Sequence, residues 1–355
     1  MRCNCVVSHV NKSDSVQRNY YHPARWWRQL DKNTIECYLC PRHCRLKDSQ
    51  RGICRVRINQ GGNLFSQVWG RPIAVHVDPI EKKPLFHFLP GSRIFSIGTA
   101  GCNLRCEFCQ NWDISTADGQ NGSSEIIPPA ELVQAAITQK CSSIAFTYNE
   151  PTIFGEYVLD IAGLARKAGL KTVMVTNGYI TAEAIADIYP SIDAANIDLK
   201  SFNADFYRKR CQAELTPVLD AILAIRKSGT FIELTTLLIP GLNDDDAELQ
   251  RLCSWIFERL GSDTPVHFSA FHPAYKMNDR PRTAKAILDR ARRIATATGL
   301  HYVYEGNILT NTESDTFCPA CGKVLIERNW HTQVTKSLQG DHCECGQKIP
   351  LIWQP

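Results

Sequence analysis

No apolar run in this 355-residue chain approaches the roughly 20 residues that a membrane-spanning helix needs, which excludes that class. Charge of one sign is scarce as well. A formal net charge of +4 is too small to argue for nucleic acid or a membrane surface as a partner. The opening residues, MRCNCVVSHVNKSDS, have neither a long apolar core nor a small-residue cleavage site, so no secretory signal is expected. What the chain has in quantity is cysteine, sixteen residues of it. Most fall into tight clusters in a large chain, a pattern that speaks for metal binding in a reducing, cytoplasmic compartment rather than for disulfides.

The central cluster is Gly101-Cys102-Asn103-Leu104-Arg105-Cys106-Glu107-Phe108-Cys109, a C-x3-C-x2-C loop after the strand-like run Arg93–Ile97. A structural zinc site needs four ligands, and no fourth thiolate stands near this loop. Three thiolates suit three irons of a cubane cluster and leave the fourth iron open for chemistry. The duller alternative is a structural metal loop whose fourth ligand comes from far away in sequence.

Cys37, Cys40, Cys44 and Cys54 form a second box, able to complete a zinc tetrahedron or an iron–sulfur cluster. Arg42, Arg45, Lys47, Arg51, Arg55 and Arg57 crowd it; offsetting thiolate charge is a simpler account of them than a nucleic-acid patch. A third box closes the chain. Cys318-x2-Cys321-Gly322 is one zinc knuckle, and Cys343-Glu344-Cys345-Gly346 is the other with its spacing one short. The fourth ligand is therefore His342 or Cys343, and a zinc-ribbon-like module is expected. Cys3 and Cys5 read as unused thiols of a frayed terminus, and Cys141, Cys211 and Cys253 as core thiols.

Between the boxes, β-like runs alternate with helical periodicity. Strands are expected at Arg93–Ile97, Ser143–Thr147, Lys171–Val175, Ala194–Ile197, Phe231–Leu238 and Val266–Phe271, with an edge strand at His301–Tyr304. Helical faces run through Leu215–Ile222, Leu249–Leu260 and Ile287–Ala295. His22–Leu30 is expected to be a short helix whose indoles dock on the main body. Repeated β-α units imply parallel strands with right-handed crossovers, and six of them fit an α/β partial TIM barrel, (β/α)6. The expected layout is a Cys-rich segment over 1–70, the barrel over 71–310 and the ribbon-like module over 311–355. Polar strings fall at the expected strand ends, where such a barrel carries its functional residues: the cysteine loop, Asn149-Glu150, Asn177-Gly178, Asp198-Leu199-Lys200, Asn243 and His272.

Cys102, Cys106 and Cys109, with Phe108 as the aromatic, match the C-x3-C-x-aromatic-C signature of radical S-adenosylmethionine (SAM) enzymes. The string GCNLRCEFCQNWDIS resembles the branch related to pyruvate formate-lyase activating enzyme, and within it the radical SAM enzyme of the AmmeMemoRadiSam system. The CxLCPRxC…GxC box and the C-terminal Ile349–Trp353 are similar to that branch too. The resemblance implies a [4Fe–4S] cluster whose open iron is chelated by SAM. One electron then gives methionine and a 5′-deoxyadenosyl radical that abstracts hydrogen from a substrate.

It also implies roles. Asn149 and Glu150 accept from the SAM ammonium, Lys200 serves the carboxylate or a cluster-linked network, and Asn177 bridges the ribose hydroxyls. Asn111 and His272 match residues near SAM in activating-enzyme relatives. Asp198 orients Lys200 or helps hold a cation, Asp198, Asn243 and Phe108 are counted with the cofactor-binding residues, and His272 and Lys200 are taken as catalytic. Those relatives have an Asp before the Thr-Asn-Gly string, where this chain has Val175, so their monovalent-cation site is not expected. Partners implied are a flavodoxin- or ferredoxin-type reductant and Memo-like and AMMECR-type proteins. Two rivals stand beside this reading: a glycyl-radical activase, and a non-catalytic zinc protein that binds nucleic acid.

Overall fold

The computed structural model describes residues 21–119, 125–308, 312–329 and 332–353. The Cys3/Cys5 pair lies outside them. Six short strands come first: β1 (His22–Pro23), β2 (Trp27–Gln29), β3 (Ile35–Cys37), β4 (Cys44–Leu46), β5 (Arg57–Gln60) and β6 (Asn63–Ser66). They pair antiparallel into two small sheets, β2-β3-β4 and β1-β6-β5. The helix expected over His22–Leu30 is therefore corrected to two strands. Pro23 donates no hydrogen bond to a helix, and Trp26 sits at φ 57°, a left-handed turn that no helix accommodates. The docking part of that expectation holds for Trp26. Its buried indole packs over Gly155 and donates to Asp187 at 2.9 Å.

An eight-stranded open sheet follows in strict chain order: β7 (Ala74–Pro79), β8 (Arg93–Gly98), β9 (Ser143–Phe146), β10 (Lys171–Thr176), β11 (Ala194–Asp198), β12 (Phe231–Leu238), β13 (Val266–Ala270) and β14 (Val303–Gly306). From β8 onward every pairing is parallel; β7 alone runs antiparallel, on β8. The expected strands are all present, the edge strand two residues later than expected. β7 was not expected, because its Ala-Val-His-Val-Asp-Pro run lies half-buried at a sheet edge and carries no long apolar signal.

After the short α1 (Trp112–Thr116), the connecting helices are α2 (Pro129–Thr138), α3 (Gly155–Lys167), α4 (Ala182–Ile188), α5 (Ala204–Phe206), α6 (Thr216–Lys227), α7 (Asp246–Leu260) and α8 (Lys285–Thr298). Asp245 caps α7, accepting from Ala247 and Glu248 N–H at 3.0 Å each. Apolar faces such as Leu249, Leu252, Cys253 and Ile256 press α7 onto the sheet. The N-terminal strands share this core through Ile35, Leu39 and Val56. They are also pinned by a fully buried ion pair, Arg57 Nη1 to both Glu156 oxygens at 2.9 and 3.0 Å.

The segment between β7 and β8 closes the end of the sheet opposite the strand C-termini. Phe86 and His87 N–H donate to the buried Glu233 carboxylate of β12. The tail, β15 (Thr316–Phe317), β16 (Val324–Asn329), β17 (Thr332–Thr335), β18 (Leu338–Gln339) and β19 (His342–Cys343), folds back against that segment. Leu89 N–H donates to Ile352, Ile352 N–H to His87, and Arg328 reaches the Phe86 carbonyl. The tail is thus built into the fold as a cap at the closed end.

His87 joins cap to sheet. Its Nδ1–H donates to the Pro350 carbonyl at 3.1 Å, and its Nε2 accepts from Tyr304 at 2.6 Å. Burial pushes its pKa down to about 4, against the pull of Glu233. The fold therefore holds a neutral ring that the unfolded chain protonates. This contribution is full above pH 6.5 and is lost as pH falls toward 4, by about 2–3 kcal/mol. Denaturant titrations at pH 7 and 4.5 should show that loss, and His87→Gln should shrink it. An identical pH dependence in His87→Gln would contradict the assignment.

Candidate functional site

The cysteine loop leaves β8 at its C-terminal end, and its turns are fixed by distant parts of the chain. Arg105 and Glu107 N–H donate to the Cys211 and Arg210 carbonyls at 3.0 Å each, and Glu107 O accepts from Lys276 N–H at 3.0 Å. The Glu107 carboxylate pairs with Arg210 at 2.8 Å. Phe108 is buried 5.7 Å from the Phe206 ring, so the aromatic of the signature is a core anchor. Gly101, at φ +90°, lies so close to the N-terminal strands that a Cβ there would stand 2.5 Å from the Cys54 carbonyl oxygen. The loop is clamped between both halves of the molecule.

The neighbouring strand ends converge on it. Glu150, after β9, is buried, and its carboxylate accepts from Thr152 N–H at 2.9 Å, Thr176 Oγ1 at 2.7 Å and Asn177 N–H at 2.8 Å. Burial raises its pKa, against these hydrogen bonds. Asn177, after β10, is thereby aimed at the loop. Its Nδ2 donates to Asn103 Oδ1 at 2.9 Å and lies 3.8 Å from Cys102 Sγ. Asn149 spends its amide on the end of β8, accepting from Thr99 N–H at 3.1 Å and donating to the Gly101 carbonyl at 2.9 Å. Asn111 donates to the Tyr148 carbonyl at 2.7 Å.

Lys200, after β11, pairs with Asp198 at 3.0 Å. Burial works against its charge, but Asp198 holds its pKa well above the ordinary lysine value. Asn243 is buried and binds backbone alone, including the Lys200 carbonyl at 2.8 Å. His272 is half-buried beyond β13, with Nε2 3.0 Å from the Asn307 carbonyl.

Burial raises the pKa of Cys102 and Cys109, while a hydrogen bond from the Cys106 thiol to Cys211 and then burial raise that of Cys106. These thiols keep their protons until a metal displaces them, as ligand sites do. Cys211, taken from sequence for a core thiol, lies against Cys106 and is the nearest thing to a distant fourth thiol. Even so, among the described residues no three of Cys102, Cys106, Cys109 and Cys211 have sulfurs within 4.8 Å of one another. Tetrahedral zinc at a Zn–S distance of 2.3 Å would need about 3.8 Å, so a larger group with separate irons fits this donor set better. Asn103 went unnoticed in the sequence, although its place directly after Cys102 was the available signal. It is wholly buried and couples the loop to the Tyr179 carbonyl at 2.7 Å.

The tail behaves differently. Cys318, Cys321, Cys343 and Cys345 have sulfurs all within 4.8 Å, with Cys318–Cys345 at 3.6 Å and Cys321–Cys343 at 3.7 Å. His342 turns instead to Asp341 at 2.7 Å and is not among the four sulfur donors of this group.

Comparison with known proteins gives the family. The model described as the radical SAM superfamily matches residues 96–253, a span that holds the loop, Glu150, Asn177 and Lys200. An uncharacterised protein of Methanocaldococcus jannaschii is 41% identical over 332 residues, covering 93% of this chain and 99% of that one. A pyruvate formate-lyase 1-activating enzyme of Escherichia coli is 23% identical over 191 residues, 52% of this chain and 75% of its own. A solved radical SAM methyltransferase of Sphaerobacter thermophilus superposes with a TM-score of 0.48 at 16% identity, over 86% of this chain and 81% of that one. The chain belongs to the radical SAM superfamily. Membership implies a SAM-dependent enzyme with a [4Fe–4S] cluster.

Gly101 offers a direct test of the clamp. Gly101→Ala forces a Cβ onto the Cys54 carbonyl at a left-handed φ, at an expected cost of about 2–4 kcal/mol. The variant should incorporate markedly less iron on reconstitution. Full iron content at native stability would show that the contact does not hold the loop.

Proposed function

We propose that this protein cleaves SAM reductively and delivers a 5′-deoxyadenosyl radical to a substrate, as the radical SAM enzyme of the AmmeMemoRadiSam system. The observation that carries this reading is the convergence on one rim of Cys102, Cys106 and Cys109 with Asn177 on Cys102 and the Lys200–Asp198 pair beside Cys106. Cys102, Cys106 and Cys109 would hold the cluster, and the chemistry it would supply is the one electron that breaks the sulfonium bond.

The chain's own groups bind and orient. Asn177 reaches toward the ribose, Glu150 holds Asn177 in place and faces the ammonium, and Lys200 offers a positive charge to the carboxylate. Asn149, Asn111 and Asn243 keep the rim in shape through backbone, and His272 borders the substrate side. The sheet acts as a partial barrel over 71–310, with the Cys-rich segment 1–70 and the zinc-ribbon module 311–355 as accessories. The compartment is the cytoplasm, and Memo-like and AMMECR-type proteins are the candidate partners.

A second reading, glycyl-radical activation, draws support from the similarity to pyruvate formate-lyase 1-activating enzyme. A glycyl doublet in electron paramagnetic resonance, after mixing with a candidate partner, SAM and reductant, would favour it. Under the first reading, anaerobically reconstituted protein given SAM and dithionite yields 5′-deoxyadenosine and methionine by mass spectrometry. Cys102→Ala, Cys106→Ala and Cys109→Ala should each abolish this, at least a hundredfold; retained product in any of them would overturn the ligand assignment. For the tail, Cys343→Ser should lose the zinc that His342→Ala keeps. Metal analysis giving the reverse would restore His342 as the ligand.

A further inference from the structure

The Cys37 box lies against the central cysteine loop. Gly101 packs on the Cys54 carbonyl, Arg42 Nε donates to the Asn103 carbonyl at 3.0 Å, and Arg105 reaches the Ile53 carbonyl. Within the box, Cys37 and Cys44 face each other as a cross-strand pair of β3 and β4. A Cβ on Gly52 would stand 3.6 Å from both Cys44 Sγ and Cys54 Sγ. Cys40 is buried and bears electrostatically on Cys37, Cys54 and Cys44, so the four thiols gather around one spot. They do not gather as the tail does, because among the described residues no three of their sulfurs fall within 4.8 Å of one another. A zinc tetrahedron holds its sulfurs about 3.8 Å apart, whereas thiolates on separate irons of a cubane stand roughly 6–7 Å apart.

Two buried guanidinium N–H groups add to this. Arg42 Nη2 and Arg57 Nε have no hydrogen-bond partner, and both side chains bear electrostatically on Cys44. Unmet donors at a buried site need an acceptor, which the thiolates and bridging sulfides of a cluster provide. Cys44 also opens onto a shallow surface depression with Arg42, Arg45, Arg51 and the exposed Ile53. Arg55 is exposed, and its charge bears on Arg105 as that of Arg42 does, whereas Lys47 bears on the exposed Asp31. Glu36, the buried acid on the same strands, is taken by Arg28 and His43. Among the described residues none of Arg42, Arg45, Lys47, Arg51 and Arg55 forms an ion pair within 4.0 Å. Asp48 is the exposed acid nearby in sequence, and it accepts from Gly61 N–H.

We propose that Cys37, Cys40, Cys44 and Cys54 hold a second iron–sulfur cluster and that the basic face around Ile53 docks an acidic one-electron carrier, making this box the electron entry to the Cys102 loop. The electron role rests on the reading of the Cys102 loop given above. A reduced ferredoxin- or flavodoxin-type protein loses one electron, the Cys102-loop cluster gains it, and no atom or proton changes hands. A basic rim around a small apolar centre suits a brief, electrostatically steered encounter.

The full chain with Cys102, Cys106 and Cys109 all changed to alanine, reconstituted anaerobically, should retain about four irons and a reduced-state paramagnetic signal that SAM does not perturb. Cys40→Ser in the otherwise native chain should lose about half of the native iron. Zinc without iron in the triple variant, or unchanged iron in Cys40→Ser, would overturn the second cluster. In stopped flow at low salt, Arg45→Glu/Arg51→Glu should slow reduction by an acidic flavodoxin hydroquinone about tenfold relative to reduction by dithionite. An unchanged ratio would overturn the docking face. Iron in both boxes without any SAM cleavage would sink the proposed function and leave the second cluster standing.

Discussion

One buried carboxylate organises the rim. Glu150 stands at the end of β9 and gathers two groups from the end of β10, the Thr176 hydroxyl and the Asn177 N–H. Parallel pairing brings these strand ends within reach, and the carboxylate fixes what they do there. Asn177 is held pointing at Asn103 and Cys102, so the cysteine loop is read by a residue that arrives from two strands away. Three hydrogen bonds offset the cost of burying the acid. Removing the acid would release the loop's neighbour as well as a charge.

The same logic runs through the outer support. Arg105 and Glu107 hang on the π-helical turn Tyr207–Cys211, and Gly101 leans on the Cys54 backbone. A cluster loop has few apolar side chains with which to hold itself. Its shape is borrowed from the elements around it, and the N-terminal strands are one of them.

Much of this was legible in the residues. Ser143–Phe146 and Lys171–Thr176 are short apolar runs ended by polar strings, as buried parallel strands with working C-termini should be. Cysteine spacing marked all three boxes. What spacing did not carry was distance between sulfurs, which separates the compact tail from the wider N-terminal box and rests on tertiary packing. The His22–Leu30 segment misled because two tryptophans and a leucine imitate a helical face, while Trp26 needs a left-handed turn that periodicity does not register. Asn103 was passed over for a similar reason, since its importance lies in what it touches, whereas Cys211 is the core thiol expected and lies against Cys106 as well.

Burial drives Cys102 and Cys109 toward the neutral form, and a hydrogen bond to Cys211 followed by burial does the same for Cys106. Under the proposed function, a metal would have to replace those protons. The iron without a fourth thiolate would, under that same function, be the one that SAM chelates. Hyperfine spectroscopy on the reduced protein with SAM carrying ¹⁵N in its amino group and ¹⁷O in its carboxylate tests that most directly. The account predicts coupling of both labels to a cluster signal that disappears in Cys106→Ala. A fully loaded, reduced cluster showing no coupling to either label would contradict it.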